Sequence, residues 1–251
     1  MASQIKKVKT EELPSKPFTN SGVYDDEVTL VFGAIEEKKL FVPRSFLCIA
    51  SPVFKAMLKH DFKEKKKKSI KMIGKKYDDF LDFLLCIHPG IQKPVEVSNV
   101  LCIVSFAEEY QVTPMVEKCK IVMNSILSKA EEKEEGSYGR SRILYQLGSV
   151  RNCFYVLKSA DTLNYTDVVN LAVKTIARFG HCCYTDEEDI NVERKFCLSN
   201  QNLQTTYGQG SKQTYGDVRK ECVSMLKKLS LELRCRILST RLTLVNVDSF
   251  K

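Results

Sequence analysis

Histidine and cysteine are the residue types in this chain that could carry out catalysis or bind a metal ion. The 251 residues include three histidines, at His60, His88 and His181. None of them has a fixed spacing to Ser, Asp or Cys that would indicate a catalytic triad. The sequence also lacks a glycine-rich phosphate loop and a dinucleotide-binding fingerprint. We therefore expect a protein that is not an enzyme and that uses no cofactor.

Ten cysteines raise the question of zinc binding or disulfide formation. The densest group joins His181-Cys182-Cys183 to Cys197, but adjacent ligands lack the short separation that lets two thiolates converge on one zinc ion. In apolar helical patterns a free cysteine behaves as a small hydrophobic residue, and such patterns contain Cys48, Cys86, Cys102, Cys119, Cys153 and Cys235. We expect structural thiols and no metal site.

The termini and the hydropathy pattern suggest an intracellular protein. No apolar stretch approaches the roughly 20 residues that a membrane-spanning helix needs. The N-terminal residues 1–9 lack the apolar centre of a signal peptide. We expect a location in the cytoplasm, the nucleus or both, and no membrane partner.

The net charge of +8 is concentrated in one segment. Residues 59–76 contain nine lysines against Asp61 and Glu64, a surplus of seven. Such a cluster can attract nucleic acid, an acidic protein or a nuclear import receptor, or it can be a solvated loop whose lysines discourage edge pairing of strands. Phe62 is the one aromatic residue of this segment, whereas single-strand binding would require several aromatic residues interleaved with the lysines. We favour the solvated loop and do not expect nucleic acid as a partner.

The first half of the chain contains the elements of a small mixed domain. Alternating apolar residues predict strands at 28–32, 39–42 and 69–73, with a turn at 33–38. Ser51-Pro52 predicts a helix start, because Ser accepts an orphan backbone N–H and Pro needs no donor in the first turn. Helical spacing predicts a helix at 77–87, and Ser98 and Thr113 are expected to begin two more.

From about Tyr24 to Leu127 the sequence resembles the BTB (POZ) family. The family's acidic opening and first strand are matched by Asp25-Asp26-Glu27 and residues 28–32. Its hallmark, an apolar-x-His-basic segment followed by Leu and Ser-Pro-x-Phe, is matched by Phe41, Arg44, Leu47, Ser51, Pro52 and Phe54, with Pro43 in place of the His. The later helices are matched by residues 80–90, where His88 replaces the usual Tyr, and by Leu101, residues 107–110, Val112 and Cys119. The resemblance implies an α+β fold with a short three-stranded sheet, helices and a closing helical hairpin.

The resemblance also implies partners. Members of the family form homodimers or hetero-oligomers, and many bridge a substrate protein to the cullin three scaffold of a ubiquitin ligase. Cullin-binding members carry a hydrophobic-x-Glu motif in the loop after the Ser-Pro helix, and Phe62-Lys63-Glu64 occupies that place. A Phe can anchor in a pocket while Glu adds a charge-assisted hydrogen bond. Alternatively, Phe62 covers the core and Glu64 offsets neighbouring lysines.

Dimerisation in the family uses the first helix, which here implicates Phe46, Ile49 and Ala50, with Leu47 facing the core. Glu27 and Arg44 match the charged pocket positions of some members, so they are candidates for a partner-facing pair. An ordinary surface ion pair contributing about 0–1 kcal/mol is the alternative interpretation.

The second half of the chain is predicted to be helical. A faint repeat relates residues 107–113 and the following helix to residues 160–166 and the helix 167–179, fifty-three positions later. The resulting helical hairpin is expected to bury Leu157, Leu163, Val168, Val169, Leu171, Val173 and Ile176, although so short a repeat can arise by chance. Two last helices are predicted at 218–229 and 231–242, the second capped by Ser230.

Together these patterns divide the chain into four parts. We expect a flexible N-terminal tail at 1–23, a BTB domain at 24–128, a charged linker at 129–142 and a helical extension at 143–251 that resembles the BACK region. A polar segment at 198–216 is expected to be a loop within the extension. The predicted function is a homodimeric adaptor that bridges an unidentified substrate protein to a cullin-type E3 ubiquitin ligase. The alternative is an oligomerisation scaffold or transcription-associated BTB protein without a ligase role.

Overall fold

The computed structural model describes residues 17–33, 37–59, 69–131, 140–179, 184, 204–207 and 211–248. The chain divides into two units, residues 1–118 and residues 119–251, here called the first and the second unit. Each unit is described by itself. Within the described ranges, no helix combines the length and apolar character needed to cross a bilayer.

The first unit contains a three-stranded sheet. Its strands are β1 (Glu27–Phe32), β2 (Lys38–Pro43) and β3 (Ser69–Lys71). The order is β2-β1-β3, with β2 antiparallel and β3 parallel to β1. Leu30 pairs with Leu40 on one side and Ile70 on the other, and all three are buried. The period-2 alternation of apolar residues therefore places one face of the sheet on the core.

The other regular elements described in the first unit are helices, and together with the sheet they confirm the predicted α+β fold. They are α1 (Arg44–Ala50), α2 (Pro52–Lys59), α3 (Tyr77–Ile87), α4 (Val100–Glu109) and α5 (Thr113–Glu131), the last of which continues into the second unit. The strand prediction at 69–73 was two residues too long. Met72 donates its N–H to Val31 O at 2.8 Å and is buried, but the next residue, Ile73, leaves the sheet and is exposed.

An aromatic cluster forms the core of the first unit. Phe80 lies at its centre, with ring centroids 5.5 Å from Phe32, 5.2 Å from Phe106 and 5.7 Å from Tyr110. Phe54 stacks on Tyr110 with 4.3 Å between centroids and an interplanar angle of 6°. The Phe of the Ser-Pro-x-Phe segment is therefore a core residue that links α2 to the end of α4.

The start of α4 differs from the prediction. The N-cap is Asn99 and not Ser98. The side chain of Asn99 accepts a hydrogen bond from the backbone N–H of Glu96 at 2.8 Å, so it closes the preceding turn and makes no cap bond to the helix. Asn competes well for such local backbone bonds, which explains its place here.

The second unit is mainly helical. Its helices after α5 are α6 (Arg140–Thr162), α7 (Thr166–Arg178), α8 (Tyr215–Lys228) and α9 (Leu231–Asp248). α6 packs against α7 and α8, and α9 packs against α7. Arg151 and Tyr155 of α6 both bond to Glu221 of α8, the arginine at 3.5 Å. Ser230 Oγ accepts the N–H of Leu233 at 3.2 Å, which confirms the predicted cap of α9.

Two predicted connecting segments contain regular structure. In the loop expected at 198–216, β4 (Gln204–Tyr207) pairs with β5 (Ser211–Thr214) as an antiparallel hairpin, and α8 begins at the next residue. Thr and Tyr favour strands, but the polar composition of the segment 198–216 led to the prediction of a loop. At the linker expected at 129–142, α5 extends to Glu131 and α6 begins at Arg140, while 132–139 lie outside the described residues.

The internal repeat is present in the backbone geometry. Val112 N donates to Ala107 O at 2.7 Å and Tyr165 N donates to Ala160 O at 2.8 Å, the same bond fifty-three positions apart. The residue before each donor, Gln111 or Asn164, has a positive φ of 53° or 58°. Of the seven residues expected to be buried in this hairpin, five are, whereas Leu163 and Leu171 are partly exposed. Leu163 lies in the turn after α6, and Leu171 lies outside the buried stripe of α7.

Candidate protein-interaction surface

Helix α1 is the first element of the surface that the sequence assigned to dimerisation. Asp26 holds its N-terminus: Asp26 Oδ2 accepts the N–H of Ser45 at 2.7 Å, and Asp26 O accepts the N–H of Arg44 at 2.9 Å. Hydrogen bonds from the side chain and the backbone of Ser45 lower the pKa of Asp26. A carboxylate at a helix N-terminus satisfies orphan N–H groups and favours the helix dipole. Sequence analysis had not assigned Asp26 this role.

The faces of α1 separate core from solvent. Leu47 is fully buried, as predicted, and Ile49 has 87% of its surface exposed. Phe46 and Ala50 are partly exposed. The three residues predicted for a dimer interface therefore lie on the accessible part of this short helix, and Ile49 is its most exposed large apolar side chain.

Phe46 also belongs to an aromatic cluster that sequence analysis missed. Its ring stacks on Phe18 with centroids 5.9 Å apart and lies 5.3 Å from the His88 ring. Phe18, assigned to the flexible tail by its sequence neighbourhood, is 3% exposed, and its carbonyl accepts the N–H of Phe41 at 2.8 Å. His88, which replaces the family's usual Tyr, ends α3 and packs its ring against Phe18 at 5.6 Å. Residue 88 therefore keeps an aromatic packing role.

Glu27 and Arg44, the predicted charged pair, lie in different settings. Glu27 Oε2 accepts the N–H of Gly22 at 2.9 Å. Arg44 lines a cleft of about 370 Å³ whose other lining residues are Asp26, Ser45, Cys48 and Ile49. The acidic residue beside Arg44 in this cleft is Asp26, so Asp26 and Arg44 give the first turn of α1 one charge of each sign.

Ser51 joins α2 to the end of α4. Its buried Oγ donates to Tyr110 O at 2.6 Å and accepts the N–H of Phe54 at 3.1 Å. One hydroxyl thus caps α2 and satisfies a carbonyl at the following turn. The Ser-Pro-x-Phe segment is therefore structural, and α2 ends at Lys59, next to the segment that carries the predicted cullin motif.

Several predicted site residues lie outside the described residues. Phe62, Lys63 and Glu64 are among them, as is most of the lysine cluster. The group His181, Cys182, Cys183 and Cys197, considered for zinc, also lies there.

The described cysteines have no common chemical role. Among the described residues, the seven cysteines form no disulfide, and burial raises the pKa of Cys86 to about 11 and that of Cys222 to about 12. A buried thiol with a raised pKa is a weak nucleophile. Cys235 differs from the expectation of a helix-packed thiol because it is exposed on α9.

Comparison with known proteins assigns the first part of the chain to a family. Residues 20–127 match the family model for the BTB/POZ domain. The chain is 30% identical over 94 residues to BTB and MATH domain-containing protein 38 of Caenorhabditis elegans, an alignment covering 38% of this chain and 23% of that protein. It is 28% identical over 137 residues to a BTB/POZ domain-containing protein of Arabidopsis thaliana, covering 54% of this chain and 41% of that protein. The chain thus spans less than half the length of these relatives.

The match to the BTB/POZ domain indicates that this part of the chain is a protein-interaction module. Residues 20–127 match the BTB/POZ domain, and helices α6 to α9 follow this match in the sequence. BTB domains mediate contacts between proteins, in keeping with a first unit whose described residues have a packed core, an exposed apolar helix face and a small charged cleft.

Proposed function

We propose that this protein is a homodimeric adaptor that bridges a substrate protein to a cullin-type E3 ubiquitin ligase. It contributes no catalytic residue and acts as a non-catalytic subunit in the cytoplasm or the nucleus. The observation that carries the proposal is the BTB domain at residues 20–127 with an exposed apolar face on α1. The cullin contact rests on Phe62-Lys63-Glu64, which follows α2 by only two residues.

The dimer part of the proposal is supported by the chemistry of α1. A side chain such as Ile49, 87% exposed in the isolated chain, gains about 1.5–3 kcal/mol on full burial. In a twofold dimer the same surface is used by both protomers, so each substitution acts twice. Phe46 and Ala50 extend this apolar surface, and Asp26 with Arg44 gives it one acidic and one basic group at the rim.

Ile49 and Ile73 form a matched pair for testing dimerisation. They are 87% and 86% exposed, and both lie in the first unit. Ile49→Asp should weaken the dimer by about 3–6 kcal/mol, a hundredfold or more in dissociation constant, whereas Ile73→Asp should leave it unchanged. Sedimentation equilibrium of the full chain measures both. Equal effects of the two substitutions would contradict the assignment of α1 to the interface.

The cullin contact is tested by calorimetric titration of the full chain with the N-terminal part of the cullin. We expect submicromolar binding with one cullin per protomer, lost in Phe62→Asp and reduced in Glu64→Ala, because an aromatic anchor and a charge-assisted bond are removed. Lys63→Ala, which changes the middle residue of the motif, is the matched control and should bind as the wild type does.

The alternative function is an oligomerisation scaffold without a ligase role. It is favoured if the wild-type chain is folded and dimeric but shows no heat of binding with the cullin fragment. Because Ile49 tests dimerisation and Phe62 tests cullin binding, the two outcomes are distinguished by measurements on separate variants.

A further inference from the structure

Helix α9 has apolar residues on two opposite sides. Leu233 and Ile237 are buried. On the opposite side lies a stripe, here called the α9 outer face, formed by Leu231, Cys235, Leu238 and Leu242, all of them exposed. Its leucines are 69%, 42% and 65% exposed in chain order. A surface helix ordinarily places polar residues opposite its buried side, and a helix that is apolar all round is ordinarily covered on both sides.

The spacing of the α9 outer face indicates what kind of element covers it. Its members follow one another at intervals of four, three and four residues. At 100° per residue these side chains form one narrow row, the seam that a helix presents to a second helix. The row spans twelve residues, and its eleven steps cover about 16 Å at a rise of about 1.5 Å per residue. This length fits three turns of a partner helix.

The charges on α9 and at the end of α8 favour an acidic partner. Residues 227–242 contain five basic residues, Lys227, Lys228, Arg234, Arg236 and Arg241, against the single acidic residue Glu232. Arg236 donates to Asn170 Oδ1 at 2.6 Å, and Arg241 donates to Ala177 O at 3.1 Å and Phe179 O at 2.6 Å. These acceptors are uncharged and therefore do not offset the positive charges of the two guanidinium groups.

The arginines of α9, here called the basic rim, continue into a cleft between α9 and α7. It has a volume of about 500 Å³ and is lined from α7 by Asn170, Leu171, Val173 and Lys174, and from α9 by Arg236, Ser239 and Thr240. Lys174 is exposed and adds a further cation to this cleft. Like charges facing this rim would be repelled, which disfavours a second copy of α9 with its own arginines.

We propose that the α9 outer face docks an amphipathic helix of another protein, one with a leucine-type apolar seam and acidic residues on its flanks. The apolar row supplies the contact area and the basic rim selects the charge of the partner. This docking surface belongs to the second unit and does not depend on dimerisation through α1 or on cullin binding.

Two synthetic peptides test the proposal. Both carry leucine at the seam positions of three heptads; one has Glu and the other Lys at every flanking position, so each repels itself and stays monomeric. Fluorescence anisotropy of the labelled peptides is measured against the full chain. We expect the Glu peptide to bind at least tenfold more tightly than the Lys peptide, with an affinity that falls as salt is raised.

Variants locate the binding to the α9 outer face. Leu238→Ser/Leu242→Ser should weaken the Glu peptide at least tenfold, whereas Ile121→Ser, at a 68% exposed apolar residue of α5, should have no effect. Arg236→Glu leaves the seam intact and should weaken the Glu peptide while strengthening the Lys peptide. This second variant keeps the test valid if loss of the leucines disturbs folding.

Three results would overturn the proposal. One is absence of binding by the Glu peptide, and another is equal binding of the two peptides. The third is self-association of the chain that is lost in Leu238→Ser/Leu242→Ser and is accompanied by a Cys235–Cys235 disulfide on mild oxidation, which would assign the face to a second copy.

Discussion

Ser51 is a position at which one atom stabilises two parts of the BTB domain. Its fully buried Oγ caps α2 through the N–H of Phe54 and donates to the carbonyl of Tyr110. Ser51→Ala removes a cap worth about 0.5–2 kcal/mol and the donor to a buried carbonyl, a loss of about 1–3 kcal/mol. We therefore expect the free energy of unfolding of the first unit to fall by about 1.5–5 kcal/mol.

Ser230 provides a matched control because it has only one of these two roles. It caps α9 through the N–H of Leu233 and is exposed, so water can replace its hydroxyl. Ser230→Ala should cost the second unit about 0.5–1 kcal/mol. The difference between the two alanine variants measures the contribution of the buried bond to Tyr110.

Hydrogen exchange followed by mass spectrometry at increasing urea concentration is the appropriate assay. It reports peptides from each unit separately, which matters because a chain with two units need not unfold in one transition. Peptides from β1 report on Ser51→Ala and peptides from α7 report on Ser230→Ala. A loss at Ser51 no larger than that at Ser230 would refute the double role.

Two further predictions concern backbone strain and acid stability. Gln111→Gly should stabilise the first unit by about 1 kcal/mol, because the left-handed conformation strains a residue with a Cβ. Asn164→Gly should stabilise the second unit by less, since Asn tolerates this conformation. Equal rises in the unfolding midpoint temperature, measured by calorimetry, would contradict this reasoning. The pKa of Asp26 is lowered by its bonds from Ser45, so its carboxylate stabilises the fold at neutral pH and that contribution is lost as pH falls below about 4. Asp26→Asn should flatten the acid decline of unfolding free energy, and a decline as steep as in the wild type would show that Asp26 is not responsible.

The parts of the BTB domain that sequence patterns predicted well are those set by local physics. Alternating apolar residues identified β1 and β2, because one face of a sheet is buried. Ser51-Pro52 marked the start of α2, and helical spacing located α3 from its first to its last residue. Each of these signals involves neighbours within a few positions, so no knowledge of the tertiary fold was needed.

The parts that were missed depend on contacts between distant residues. Phe18 is buried only because α1 and His88 meet over it, and its polar sequence neighbourhood suggested a tail. Asp26 caps a helix nineteen residues later, across the β1–β2 pair. The exposed apolar side of α9 was visible as Leu, Cys, Leu and Leu at helical spacing, but sequence alone did not show which of its two apolar sides faces the core.

The repeat at an offset of fifty-three positions shows why a weak sequence signal can reflect a strong physical constraint. In both copies an Ala carbonyl accepts the N–H of the residue five positions later, and that bond requires a left-handed residue just before the donor. Ala107 and Ala160 are fully buried, where a larger side chain would not fit without moving the turn. Among the residues between each Ala and its donor, Tyr110 packs in the core of the first unit, whereas its counterpart Leu163 is partly exposed. Forming this turn therefore constrains only a few positions, and most other side chains can vary. Two hairpins with the same geometry can for this reason share little sequence.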